Sequence, residues 1–297
     1  LPLNNLPNWR INKMCKVISI INNKGGVGKT TSTGIIAQLL AYLGKHVLIV
    51  DLDSQSNLSM MLGQYEEDSQ DVIEGLVIPE HPNIAELFKY RYRDLGNVTK
   101  LIRHTSVPNL DIIPSSKRHK NTQLNIAKNE TGNNNVILKR ALSLIRDSYD
   151  FILIDNAPAN DILTVNSLFI SDLVIVPVRL EGFSYKGLRE TIDTLLYIKD
   201  EHDIESIKFG GAFITQAEIN TNIYKALKSN YTDELGGRFY ETPIRKDIHI
   251  SELETNFTPL LEYCPNTNAV FDYSNLILEL GILDDKTSAM LRRSIGA

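Results

Sequence analysis

The chain has little cysteine, no long apolar run, no excess of positive charge and no internal repeat, and each lack removes a class of protein. Its two cysteines, Cys15 and Cys264, lie far apart and share no paired spacing. That excludes a disulfide framework and a cysteine-type metal centre, and it suits a reducing, cytoplasmic compartment. No segment is long and apolar enough to read as a membrane-crossing helix. The residues up to Lys13 carry Pro2, Pro7 and several asparagines without a sustained apolar core, so they do not read as a secretory signal. A net charge of −5 over 297 residues excludes a protein coated in basic charge and leaves room for one basic face. The length allows one or two domains with an ample core, and no low-complexity linker divides it. The expected organisation is an N-terminal arm over 1–15, a single domain over 16–283 and a polar tail over 284–297.

What is present centres on residues 17–31. Val17 to Ile21 is an apolar, β-branched run that reads as a buried strand. Three glycines follow (Gly25, Gly26 and Gly28), then Lys29, Thr30 and Thr31. Beyond them Ile35, Ile36, Leu39, Leu40 and Leu43 recur at helical spacing. A glycine turn between a strand and a helix N-terminus is the setting of a phosphate-binding loop. Glycines let backbone N–H groups close on an anion, and the helix start adds unpaired donors and positive dipole. In such a loop Lys29 reaches the β/γ-phosphates and the Thr30 hydroxyl ligates Mg²⁺. The pattern G-x-x-x-x-G-K-[ST] requires a glycine where this chain has Asn23, and a second lysine, Lys24, stands inside the loop.

Val47 to Asp51 is a second buried strand, which closes a unit of βαβ size. Further apolar runs at 110–113, 151–155, 173–178 and 209–214 alternate with helical patterns at 84–88, 136–145, 188–198, 222–235 and 266–280. Residues 117–135 are polar and read as a surface helix–loop region. The fold class is therefore α/β, a mostly parallel twisted sheet with helices on both faces, of the P-loop NTPase type. Open sheets of this kind bind ligands at the carboxyl ends of their strands. Asp155 ends one apolar strand there and is placed to hold Mg²⁺ opposite Thr30. Asp51 and Asp53 end another; Asp53 is the candidate for orienting an attacking water. Asp51 either supports the cation and its waters or caps the following turn.

The loop from Lys24 to Thr31 resembles the deviant phosphate loop of the ParA/MinD family of ATPases. The stretch Asp51, Leu52, Asp53, Ser54, Gln55, Ser56, Asn57 is similar to the D-x-D-P-Q-x-N segment of its ParA/Soj-type partition members, with Ser54 in place of proline. Residues 149–158 resemble the Walker B strand, with Asn156 and Ala157 departing from the usual residues. Residues 172–178, 211–222 and 244–252 resemble later segments. The resemblance implies ATP/ADP and Mg²⁺ as ligands, held by Lys24, Gly25, Gly26, Val27, Gly28, Lys29, Thr30 and Thr31, with the metal on Thr30, Asp53 and Asp155. It implies that Lys24, Lys29 and Asp53 carry hydrolysis, Lys24 by reaching the phosphates of a second subunit. It further implies a homodimer on ATP binding, non-specific DNA binding in the nucleoid, and release by hydrolysis that a ParB-type partner stimulates. About fifteen residues before the first strand are too few for the helix-turn-helix domain of many relatives. Candidate DNA contacts are Lys186, Arg189, Lys225, Lys228, Arg238, Arg245 and Lys246. The alternative is a MinD-like membrane-associated ATPase for division-site placement. Residues 290–295 bring too few apolar groups for stable membrane association. A metal-cluster carrier lacks the cysteines it needs.

Overall fold

Strand residues alternate between two faces, and both faces of this sheet are apolar, which fixes the architecture. In the computed structural model, residues 14–65, 82–122, 126, 133–159, 161–180, 184–201, 204, 207–250, 252 and 259–296 are described. The expected arm over 1–13, most of 123–132, Ser251 and the side chain of Lys186 lie outside the described residues.

The chain runs β1 (Lys16–Ile20), α1 (Lys29–Tyr42), β2 (Val47–Asp51), α2 (Asn57–Met61), α3 (Ile84–Tyr90), α4 (Leu95–Thr99), β3 (Arg103–His104) and β4 (Leu110–Ile113). It continues as α5 (Ile137–Ser143), β5 (Phe151–Asp155), α6 (Ile162–Ile170), β6 (Leu173–Arg179), α7 (Ser184–Glu201), β7 (Lys208–Thr215) and α8 (Asn222–Leu235). The short α9 (Leu260–Tyr263), α10 (Asn268–Leu280) and α11 (Asp285–Ile295) complete it. The strands form one seven-stranded sheet in the order β3-β4-β2-β5-β1-β6-β7. Every pairing is parallel except that of β3 with β4.

Side-chain alternation assigns the layers. Ile18, Ile20, Ile49, Ile112, Leu153 and Phe213 meet α1 and α10 on one face. Leu48, Val50, Ile152 and Ile154 meet α3 and α5 on the other, and Val174, Val176 and Ile214 meet α7 and α8 there. Helix α1 lies between the sheet and α10 and is buried nearly all round, which is why its apolar pattern is broad and not a narrow stripe. Register places the chemistry: Asp155 lies opposite both Ile20, the end of β1, and Asp51, the end of β2. The phosphate-loop candidate and both strand-end acids therefore share one carboxyl edge.

One expectation is corrected, and the sheet has one strand that the sequence did not show. The polar tail after Gly281 is a helix, α11, packed on the domain: Leu291 is buried in the α1–α10 layer, and Lys45 Nζ donates to the cap residue Asp284 at 2.7 Å. The sheet also gains an antiparallel edge pair, β3, from two residues that have no periodicity to read.

Candidate active site

The turn between β1 and α1 is shaped by its glycines and held by residues from three other strands or helices. Gly26 and Gly28 have φ of 70° and 82°, the left-handed region open to glycine. Gly28 is also the N-cap of α1, so the loop runs directly into the helix N-terminus. Asn22, just after β1, accepts from Lys24 N at 2.9 Å and donates to Pro177 O at 2.8 Å. Thr215, the last residue of β7, donates to Val27 O at 2.9 Å, and Gln216 Nε2 donates to Gly26 O at 3.1 Å. Ser32 and Tyr273 hydroxyls, 2.8 Å apart, tie α1 to α10. The loop is thus pre-formed.

Lys29 is buried, and its Nζ donates to the Lys24 carbonyl at 3.1 Å. Burial pushes its ammonium below the usual lysine range, and the carboxylates of Asp155 and Asp53 only partly restore it. Asp155 is fully buried; burial and then the Asp51 charge push it well above the usual carboxylate range, with Thr30 and Lys29 pulling the other way. Its Oδ1 accepts a long bond of 3.5 Å from Thr33, while its Oδ2 has no hydrogen-bond partner among the described residues. A buried carboxylate oxygen without a partner is costly. A divalent cation between Thr30 and Asp155 would satisfy it, so the donor set fits Mg²⁺.

Asp51 has a different position from the one a cation ligand needs. Its Oδ1 accepts from Asp53 N at 3.0 Å, and its Oδ2 accepts from Ser59 N at 3.0 Å and Ser59 Oγ at 2.7 Å. Burial pushes Asp51 up to about 7. Of its two readings, the geometry matches the turn anchor. Asp53 remains at the cavity wall, with Oδ1 accepting from Gln55 N at 2.9 Å.

A cavity of about 680 Å³ opens over the loop. Gly25, Gly26, Gly28, Lys29, Thr30, Thr31 and Asp53 line one side, and Arg245, Lys246, Asp247 and Tyr273 another. Lys24 is half-buried and Val27 buried at the loop, and Asp155 lies beneath its floor. Sequence reasoning gave no role to Asn22, Thr215 or Gln216. Thr215 stands at a strand's carboxyl end like Asp155, which was the available signal.

Three of the seven late basic candidates hold carboxylates. Arg245 holds Asp272 through Nε and Nη2 at 2.7–3.1 Å and lines this cavity. Lys228 pairs with Glu241 at 2.7 Å and Lys246 with Glu218 at 3.3 Å.

A pre-formed anion cradle at a helix N-terminus, with a buried lysine and carboxylates on the adjacent strand ends, defines a P-loop nucleoside triphosphatase. A family described as an AAA domain matches residues 15–208. Sporulation initiation inhibitor protein Soj of Bacillus subtilis is 30% identical over 271 residues, which cover 90% of this chain and 98% of that protein. Chromosome-partitioning ATPase Soj of Treponema pallidum is 28% identical over 267 residues, 90% of this chain and 97% of that one. A Borrelia burgdorferi protein assigned to plasmid partition, crystallised with AMPPNP, superposes with a TM-score of 0.70 at 26% identity, covering 90% of this chain and 98% of that chain. The chain belongs to the Soj/ParA family of P-loop ATPases.

Proposed function

We propose that the chain is a Mg·ATP-driven switch for DNA partition. The observation that carries this reading is the loop itself: a pre-formed phosphate cradle containing a second lysine, Lys24, over a buried carboxylate that lacks a partner. The names of its relatives, chromosome-partitioning ATPase and plasmid partition protein, support the biological setting.

In this reading the loop N–H groups and Lys29 bind the β/γ-phosphates. Thr30 and Asp155, with Asp53 nearby, would hold Mg²⁺, which would supply charge neutralisation at those phosphates. Asp53, fixed by the Asp51–Ser59 anchor, orients the water whose oxygen bonds the γ-phosphorus as the bond to ADP breaks. The partner subunit's Lys24 adds positive charge at the γ-phosphate, in the manner of an arginine finger. ATP therefore joins two copies, the dimer binds DNA without sequence preference, and hydrolysis stimulated by a ParB-type protein releases it. The cytoplasm and nucleoid are where such a switch works.

The MinD-like alternative draws on the last helix. Leu291 is buried inside the domain, which leaves Met290 exposed without its apolar neighbour. That counts against a membrane role for α11.

Phosphate release from Mg·ATP tests the core of the reading. Slow turnover is expected, raised by DNA and partner, and Lys29→Ala should lower it at least 100-fold. A parent protein that neither binds nor hydrolyses Mg·ATP would refute the proposal.

A further inference from the structure

Cations and tyrosines alternate where α3 ends: Lys89, Tyr90, Arg91, Tyr92, Arg93. The segment is a turn. Arg91 takes a left-handed φ of 50° as the helix C-cap. That turn brings the rings of Tyr90 and Tyr92 together, with centroids 5.9 Å apart and planes 11° from parallel. Lys89 Nζ lies 5.1 Å from the Tyr90 centroid. Arg91 Nη2 donates to Asn134 Oδ1 at 2.7 Å, which ties the turn to the segment leading into α5. From α5, Arg140 enters the same cleft as Tyr92 and Arg93. An open concavity of about 690 Å³ runs along residues 90–94. It shares no lining residue with the nucleotide cavity.

The nearby acids are committed to helix caps. Asp94 accepts from Asn97 N at 2.9 Å and from Asn97 Nδ2 at 2.8 Å. Glu86 is buried and accepts from Asn83 N at 2.8 Å. Lys89, Arg93 and Arg140 are exposed, and among the described residues none of them makes an ion pair. A chain of net charge −5 thus gathers three exposed cations around a rigid pair of rings.

We infer that this turn is a nucleic-acid contact surface, with Lys89, Arg93 and Arg140 on phosphates and the Tyr90–Tyr92 pair flanking sugar and base. Clustered cations displace counterions from a polyanion. Aromatic rings beside them match the flat, partly apolar edge of a nucleic acid. Duplex DNA as the principal ligand rests on the partition reading; a single strand offers the same phosphate and base chemistry. The surface also differs from the late basic candidates, of which Lys228, Arg245 and Lys246 already hold carboxylates.

The test uses the full chain with Mg·ATP and a fluorescein-labelled random duplex of about 40 base pairs, alongside a single strand of equal length. Anisotropy titrations run from about 50 to 200 mM salt, the range over which such contacts are read. K89E/R93E/R140E should weaken duplex binding tenfold or more and flatten the log–log salt slope by about 2 to 3, roughly 0.9 per lost phosphate contact. K225E/R238E should stay within twofold of the parent, and basal ATPase activity should be unchanged in both. Tyr90→Ala should weaken the single strand more than the duplex. If the triple reversal fails to fold, the Gln versions at the same positions test the same slope. A parent that binds DNA while the triple variant binds equally overturns this surface and leaves the partition reading standing. An ATP-hydrolysing parent that binds neither nucleic acid overturns both.

Discussion

Two buried side chains are held by this fold in forms they would not choose in water, and each yields a prediction. Asp155 is buried beneath the phosphate loop with Oδ2 unpartnered and its ionised form disfavoured. Asp155→Asn keeps the shape and removes the charge. Turnover of Mg·ATP should fall about 100-fold or more, while the nucleotide-free protein should be no less stable than the parent. Thermal unfolding in EDTA and then with Mg·ATP separates the two effects; a large drop in the EDTA midpoint would mean that the carboxylate is structural. His119 is the second case. It is buried beside Phe88, with ring centroids 5.8 Å apart, and burial pulls it down to about 4. The unfolded chain binds this proton near 6.5, so between about 4 and 6.5 the unfolded state holds more protons than the native state. The contribution is therefore complete above about 6.5 and lost as the pH falls towards 4. Over that window it amounts to about 3 kcal/mol. In denaturant titrations at pH 7 and 4.5, His119→Leu should lose less stability on acidification than the parent. Equal losses would remove His119 from the acid response.

At the scale of elements, the legible parts were those whose signal is local. The strand from Val17 to Ile20, the glycine turn and α1 follow one another in sequence as they do in space. Asp155 was legible because a strand end is a position that sequence reveals. Asn22, Thr215 and Gln216 were not, because their roles are contacts across the fold, up to 190 residues apart in sequence. For Asp51 the sequence left two readings, and the turn anchor is decided by Ser59, which fills its Oδ2 once α2 folds back. The tyrosine–cation turn after α3 escaped because its alternation has the period of a strand, and only the left-handed Arg91 makes it a turn. Helix α11 was misread as a polar tail because only Leu291 and Thr287 of it are buried. That sparse face makes a clean prediction. Leu291→Ala should cost about 2–4 kcal/mol by leaving a cavity beside α10, and Met290→Ala, at an exposed position, about 0.5 kcal/mol or less. Equal effects in chemical denaturation would show that α11 is not docked as described.

At the scale of the whole molecule, the phosphate loop and the strand-end acids share one carboxyl edge of the sheet, and in the proposed switch Lys24 is the residue by which that edge meets a second copy. Within one chain Lys29 already occupies the loop interior, with its Nζ on the Lys24 carbonyl, so a single subunit has its phosphate-binding cation. On the proposed reading the second lysine in the same turn serves a neighbouring site, where it reaches a γ-phosphate from outside. Asp53→Ala should uncouple binding from turnover. The variant should hold Mg·ATP, hydrolyse it at least 100-fold more slowly and accumulate as a dimer in sedimentation velocity. Adding Lys24→Ala to it should return the protein to a monomer with ATP still bound. The trapped dimer should be retained on DNA and pass over anionic liposomes, because Leu291 is already buried in the domain and Met290 beside it is exposed without that apolar neighbour. Retention on liposomes alone would move the protein from partition to membrane-coupled positioning. An Asp53→Ala variant that stays monomeric with ATP would remove the dimer from the mechanism and leave Lys24 as a second ligand of its own subunit's phosphates.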